Sequence, residues 1–181
     1  MLIRKTLAMA AATAGLIGAG MLTGASTASA SVQPPESSGG VVQLVNENSG
    51  KCLEIADWRT DNGAPARQWD CTGGANQKWF ETTDYYGRHT YVNQNSGKCL
   101  EIADWRTDNG APARQWDCTG GANQRWYFDT IGVGQDEPSY IGHLLNDNSG
   151  NGCVVVQGTG NGSTAFQYTC MLYRDQNWYR R

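Results

Sequence analysis

The sequence predicts an all-β protein whose chain closes on itself with approximate threefold symmetry, and three observations predict it. The first is repetition: residues 45–79 and 92–126 differ at two of 35 positions, Glu47 against Gln94 and Lys78 against Arg125, at an offset of 47 residues. The second is a looser third copy over about 144–178, which keeps Asn-Ser-Gly before Cys153 and places Gln176 and Trp178 six and eight residues after Cys170, the spacing of the first two copies. The third is punctuation: Gly, Asn, Asp and Thr interrupt the chain so often that no stretch sustains a helical period. A unit this short cannot bury its apolar face alone. Closing three of them around an axis leaves fewer sheet edges exposed.

The elements follow in order. Residues 1–30 carry Arg4 and Lys5, then an Ala/Leu/Gly/Met-rich run over 7–22, and end on Ala28-Ser29-Ala30. That pattern predicts a secretion signal, removed from a secreted, extracellular protein. Residues 31–40, SVQPPESSGG, read as a flexible leader. The folded body is expected from about Val41 and has about 140 residues, enough for one domain. Inside it, CLEI, RQWDC and KWFE, and CVVV in the third copy, are bounded by Ser-Gly, Asn-Gly and Gly-Gly and read as strands and turns. Three units are expected, over about 41–82, 90–129 and 142–181.

All six cysteines lie beyond the signal, where an oxidising compartment lets disulfides persist. Their separations of 19, 19 and 17 positions place one pair in each copy, so Cys52 is expected to join Cys71, Cys99 to join Cys118, and Cys153 to join Cys170. Each bridge is worth roughly 3 kcal/mol. There is no CxxC, and His89 and His143 have no ligand-like spacing, so no metal is expected. No cofactor is expected either. The formal charge of -3 becomes -5 once Arg4 and Lys5 are removed, with no basic run to track phosphates, so nucleic acid is not an expected partner. Nothing resembles a membrane span, and a monomer is expected.

NSGKCLEI, then QWDC, then GGANQKW resembles the ricin-type lectin repeat. The endings Gln77-Lys78-Trp79, Gln124-Arg125-Trp126 and Gln176-Asn177-Trp178 resemble that family's threefold QxW signature, each behind a cysteine pair. The similarity covers essentially all of 41–181 and is nearest in spacing to carbohydrate-binding modules of bacterial xylanases. It implies a β-trefoil, three homologous four-stranded lobes with pseudo-threefold symmetry, and sugar binding without catalysis.

Trp79, Trp126 and Trp178 end all three copies, which marks them as shared core. An indole burying about 150 to 250 Å² contributes roughly 4 to 6 kcal/mol before entropy. Trp69 and Trp116 give way to Tyr168 in the third copy, so the place requires a flat ring; the resemblance implies that it stacks on a sugar, and a core aromatic is the plainer reading. Glu54 and Glu101, where the family usually has aspartate, would accept hydrogen bonds from sugar hydroxyls. A solvated surface acid is the alternative. Asn76 and Asn123 match the family asparagine that donates to a hydroxyl, and Gln77 and Gln124 match the glutamine beside it, which braces the acid. Arg67 and Arg114 share a strand face with Trp69 and Trp116, free to donate to ligand or to pair with the glutamate. Trp58 and Trp105 either lid the site or pack on the lobe. With Val155 at the acid position and Asp175 at the asparagine position, the third copy is expected to be degenerate.

Two other classes compete. A glycoside hydrolase would need paired carboxylates, but Glu54, Asp57, Asp61 and Asp70 recur because the unit is duplicated, and none sits in a hydrophobic run. A protein-binding trefoil such as a protease inhibitor would present the Ala-Pro-Ala-Arg turns at 64–67 and 111–114 as loops. Asn161-Gly162-Ser163 fits a glycosylation acceptor.

Overall fold

The computed structural model describes residues 39–133 and 140–181. The segment read as a signal, and 31–38 of the leader, lie outside the described residues. Thirteen strands occur among the described residues: β1 Gly40–Val42, β2 Leu44–Asn46, β3 Cys52–Ile55, β4 Ala66–Trp69, β5 Trp79–Thr83, β6 His89–Asn93, β7 Cys99–Ile102, β8 Ala111–Trp116, β9 Trp126–Val133, β10 Tyr140–Asn146, β11 Gly152–Val156, β12 Ala165–Thr169 and β13 Asn177–Arg180. The first strand begins at Gly40, one residue before the expected start.

Lobe 1 holds β1 to β5, lobe 2 β6 to β9, and lobe 3 β10 to β13. The first and last strands of the lobes close a barrel: β1 pairs β5, β5 pairs β6, β6 pairs β9, β9 pairs β10, β10 pairs β13, and β13 returns to β2, every pair antiparallel. Lobe 1 has five strands instead of four, and the total is thirteen instead of twelve, because its first strand is interrupted at Gln43, whose N–H and C=O bond Arg181. The middle strands form three hairpins, β3–β4, β7–β8 and β11–β12, that cap one end of the barrel. The hairpins contact one another through β8 and β12, Pro65 with Arg114, and Arg67 with Thr164. This is a β-trefoil.

The repeated sequence explains the core. Trp79, Trp126 and Trp178 are each fully buried. Each indole N–H donates to a hairpin carbonyl, Leu53 at 3.2 Å, Leu100 at 3.2 Å and Val154 at 2.9 Å, so the polar end of the ring is satisfied where its apolar body is buried. Leu44, Tyr91 and Leu144 from the barrel, and Ile55, Ile102 and Val156 from the hairpins, fill the same space in threefold sets. The expected disulfides form, Cys52 with Cys71, Cys99 with Cys118 and Cys153 with Cys170.

Buried amides close the ring of lobes. Gln68, fully buried on β4, donates to the carbonyls of Gly158 and Gly160 in lobe 3; Gln115 donates to those of Arg59 and Asp61 in lobe 1; Gln167 donates to that of Asp108 in lobe 2. Asn161 belongs to the same set. Its Oδ1 accepts from the Asp70 N–H at 3.0 Å and its Nδ2 donates to the Asp70 carboxylate at 2.8 Å, so the amide nitrogen of the glycosylation pattern already serves as an inter-lobe latch. The Ala-Pro-Ala-Arg segments are not presented as loops. Ala64, Ala66, Ala111 and Ala113 are buried where the hairpins meet. Among the described residues no helix is long and apolar enough to cross a membrane.

Candidate functional site

β3 delivers its last residues into a single 3-10 turn, Ala56–Trp58, in which the backbone turns left-handed. Asp57 and Trp58 have φ of 56° and 55°, and their twins Asp104 and Trp105 both 55°. These four are the non-glycine residues with positive φ among the described residues. An aspartate tolerates that region; a tryptophan is disfavoured there by roughly 1 to 2 kcal/mol, so its surroundings must hold it. Two contacts do so. Asn95, in the first turn of lobe 2, donates Nδ2 to the Trp58 carbonyl at 3.1 Å. The indole edge lies over Gly74, where a Cβ would sit 2.9 Å from Cζ2 and Cη2, a distance real side chains do not show. Trp58 is thus fixed in place yet 55% exposed.

Beside it, the β3–β4 register sets Glu54 opposite Arg67. Arg67 donates Nε to Glu54 Oε1 and Nη2 to Asp57 Oδ1, each at 2.9 Å, and its Cζ lies 4.5 Å above the Trp69 ring. The second oxygen of Glu54 accepts from Gln77 Nε2 at 3.0 Å and Asn76 Nδ2 at 3.2 Å. Asn76 also donates to the Ile55 carbonyl at 3.2 Å. Two acceptors on one side fix the orientation of that amide. Its Oδ1 is left buried and without a partner, as is that of Asn123. A concavity of about 270 Å³ opens over this network, walled by Trp58 and Trp69, with Glu54, Asp57, Arg67, Thr72 and Asn76 completing the lining. In lobe 2, Glu101, Asp104, Arg114, Trp116, Asn123 and Gln124 repeat the same bonds.

Glu54, Trp69 and Asn76 therefore share one concavity, while several details differ from expectation. Glu54 is 4% exposed and both its oxygens are already bonded, because Arg67 pairs with it. Asn76 does not donate outward as the resemblance implies: both amide hydrogens are taken and it offers an acceptor instead. Gln77 braces Glu54 as expected and does not line the concavity: it is fully buried, accepts from the Thr72 N–H and donates to the Asp70 carbonyl as well as to the acid. Gln124 makes the matching bonds to Thr119, Asp117 and Glu101, and Gln176 keeps those to Met171 and Thr169 although Val155 stands at the acid's position, so the backbone bonds of this glutamine serve the fold. The exposed carboxylate is Asp57, whose side chain is 71% accessible.

Asp57 and the placement of Trp58 are what sequence reasoning missed, and a signal for them existed. Arg59 and Asp61 offer their carbonyls to Gln115 as Gly158 and Gly160 offer theirs to Gln68. With those residues matched, Thr159 falls on Thr60, and the two residues that lobe 3 lacks are Asp57 and Trp58. The cysteine spacing of 17 against 19 is the absence of the left-handed pair. Lobe 3 also has Val155 for Glu54, Phe166 for Arg67, a half-exposed Tyr168 for Trp69 and Asp175 for Asn76.

Barrel, capping hairpins and a concavity of this make define a β-trefoil of lectin type. The family profile described as Ricin-type beta-trefoil lectin domain-like matches residues 31–116 and 83–168, and the chain belongs to that family. Its structure resembles ThreeFoil, a designed threefold-symmetric protein, with a TM-score of 0.68 and 30% identity over 77% of this chain and 96% of that one. It also resembles 1,3Gal43A, an exo-β-1,3-galactanase from Clostridium thermocellum, with a TM-score of 0.71 and 30% identity over 77% of this chain but 29% of the enzyme. The ricin B-like lectin of Macrolepiota procera, solved in complex with lactose, shares the fold at 13% identity, with a TM-score of 0.63 over 78% of this chain and 94% of the lectin. Among curated proteins, serine protease 1 of Rarobacter faecitabidus is 44% identical over 41 residues, 23% of this chain; the chain spans 8% of that protease's length.

Proposed function

We propose that this chain is a secreted, non-catalytic carbohydrate-binding protein with two equivalent sites, one in lobe 1 and one in lobe 2, while lobe 3 supports the fold. The observation that carries the reading is the buried, unpartnered Oδ1 of Asn76, lining a concavity walled by two indoles. A buried acceptor without a partner costs about 1 to 3 kcal/mol, and a ligand hydroxyl or amine relieves that cost. The half-exposed Trp58 ring supplies the apolar half of sugar recognition, beside a Trp69 ring that Arg67 partly covers. Glu54, with both oxygens held by donors, suits a fixed scaffold and not a proton-transferring acid.

One stacked ring and a few hydrogen bonds give about 4 kcal/mol, millimolar affinity for one sugar unit. Two sites engaging separate points on a polysaccharide raise apparent affinity by about 10² to 10⁴ where geometry allows. The test is a screen of immobilised glycans and insoluble polysaccharides, with Trp58→Ala/Trp105→Ala beside the wild type. Retention that is lost in a folded double variant supports the reading. Binding that survives it removes these sites, and a wild type that retains no glycan removes the function.

A further inference from the structure

We infer that both sites select sugars carrying a free amino group, in the ammonium form, over the neutral and N-acetylated forms of the same sugars; this rests on the carbohydrate reading above. Each site holds two carboxylates, Glu54 and Asp57 in lobe 1 and Glu101 and Asp104 in lobe 2, against one guanidinium. Arg67 lies 2.9 Å from both of its acids and over the Trp69 ring, so its charge is countered from two sides; the neighbouring Arg59 is paired with Asp61, and one negative charge is left over. That charge is accessible, on an Asp57 side chain 71% exposed at the mouth.

The hydrogen-bonding capacity left open is of the same kind. Asn76 Oδ1 is a pure acceptor, buried to 2% exposure and unpartnered, and Asn123 Oδ1 repeats it at 3%. Only one oxygen of Asp57 is bonded to Arg67. A hydroxyl brings one proton to such a site; an ammonium brings three, and each hydrogen bond it makes is charge-assisted. An exposed indole face beside the carboxylate attracts a cation further. N-acetylation removes the charge and two of the protons together. A uronic acid would bring a second negative charge to an already negative site.

The test uses the full chain against beads carrying glucosamine, N-acetylglucosamine or glucose, with the galactose-configured triplet beside them, so that each set differs only at C2. The amines are expected to bind about tenfold more tightly than their partners, about 1.4 kcal/mol. Asp57→Asn/Asp104→Asn is expected to abolish that preference and keep the fold, since asparagine adopts the left-handed region readily. Asp84→Asn/Asp129→Asn removes as much charge outside the concavities and is expected to leave the preference intact; equal loss in this control would reduce the effect to general attraction and overturn the inference. Neutral or N-acetylated beads that bind as well as the amines overturn it too. If all six beads fail while other glycans are retained, the amine preference falls and the carbohydrate reading stands; if nothing is retained, the carbohydrate reading falls first.

Discussion

Asn148, in the first turn of lobe 3, donates Nδ2 to the backbone carbonyl of Trp105 in lobe 2 at 3.0 Å. Asn95 of lobe 2 does the same for Trp58 of lobe 1. Each left-handed Asp-Trp pair is held by the lobe that follows it, so Asn148 of lobe 3, which lacks such a pair, holds that of lobe 2. Asn48 holds the same position after lobe 3, where the Asp-Trp pair is missing.

Asn148→Ala is therefore expected to weaken the lobe 2 site alone. A lost hydrogen bond of about 1 kcal/mol corresponds to roughly fivefold in affinity. Calorimetric titration in a Trp58→Ala background, where only lobe 2 binds, is the measurement. Asn95→Ala in that background is expected to change nothing, and Asn48→Ala likewise. An equal loss in all three would mean that these asparagines act through general stability.

Gly74 gives a second test. Its φ of -63° is ordinary, so alanine meets no backbone penalty and acts only through its methyl. That methyl would lie 2.8 Å from Asn76 Oδ1 and 2.9 Å from the Trp58 ring, forcing both to move. Gly74→Ala/Gly121→Ala is expected to reduce glycan retention by more than about tenfold, with far-ultraviolet circular dichroism unchanged. Retention at the wild-type level would show that the indoles need not lie where the structure has them.

The sequence made the fold legible because the fold's requirements recur in all three copies. The QxW tryptophans, the cysteine pairs and the hairpin apolars each satisfy one lobe and are repeated in the diverged one. The site was legible only as a set of residues. That Glu54, Trp69 and Asn76 meet follows from hairpin register, but which way Asn76 points depends on Arg67 having already taken the acid. The conformation of Trp58 was hidden for a different reason: no local propensity favours a left-handed tryptophan, and the groups that hold it, Gly74 and Asn95, lie 16 and 37 positions away.

The seven tryptophans range from fully buried to exposed, with Trp69 and Trp116 between, and the two extremes differ in what they do for stability. Trp178→Ala empties a fully buried site and leaves the Val154 carbonyl without its donor, and is expected to cost about 3 to 5 kcal/mol. Trp58→Ala removes a ring 55% exposed and is expected to change stability by less than about 1 kcal/mol. Urea unfolding of the two variants separates them. A Trp58→Ala variant as unstable as Trp178→Ala would make that indole part of the core.

The last prediction concerns the side of the barrel where the first and last described strands meet. Glu81 of β5 accepts from Tyr91 of β6 and from Arg180 of β13, each at 2.8 Å, and its Oε1 lies 3.0 Å from His89 Nδ1; Arg180 in turn lies 4.0 Å above the Phe128 ring of β9. Three strands, one from each lobe, thus converge on one carboxylate. Burial alone would raise its pKa, but the hydrogen bonds from His89 and Tyr91 and the charge of Arg180 outweigh burial and lower it from 4.5 to about 2. A folded-state value below the unfolded one gives stability that is complete above about pH 4.5 and is lost as pH falls toward about 2. The shift corresponds to about 3 kcal/mol for a side chain that is 11% exposed. Glu81→Gln is expected to be less stable than the wild type by about that amount at neutral pH, and the two unfolding curves are expected to converge as pH approaches about 2. A gap that stays constant across the range would mean that Glu81 acts through its shape and not its charge.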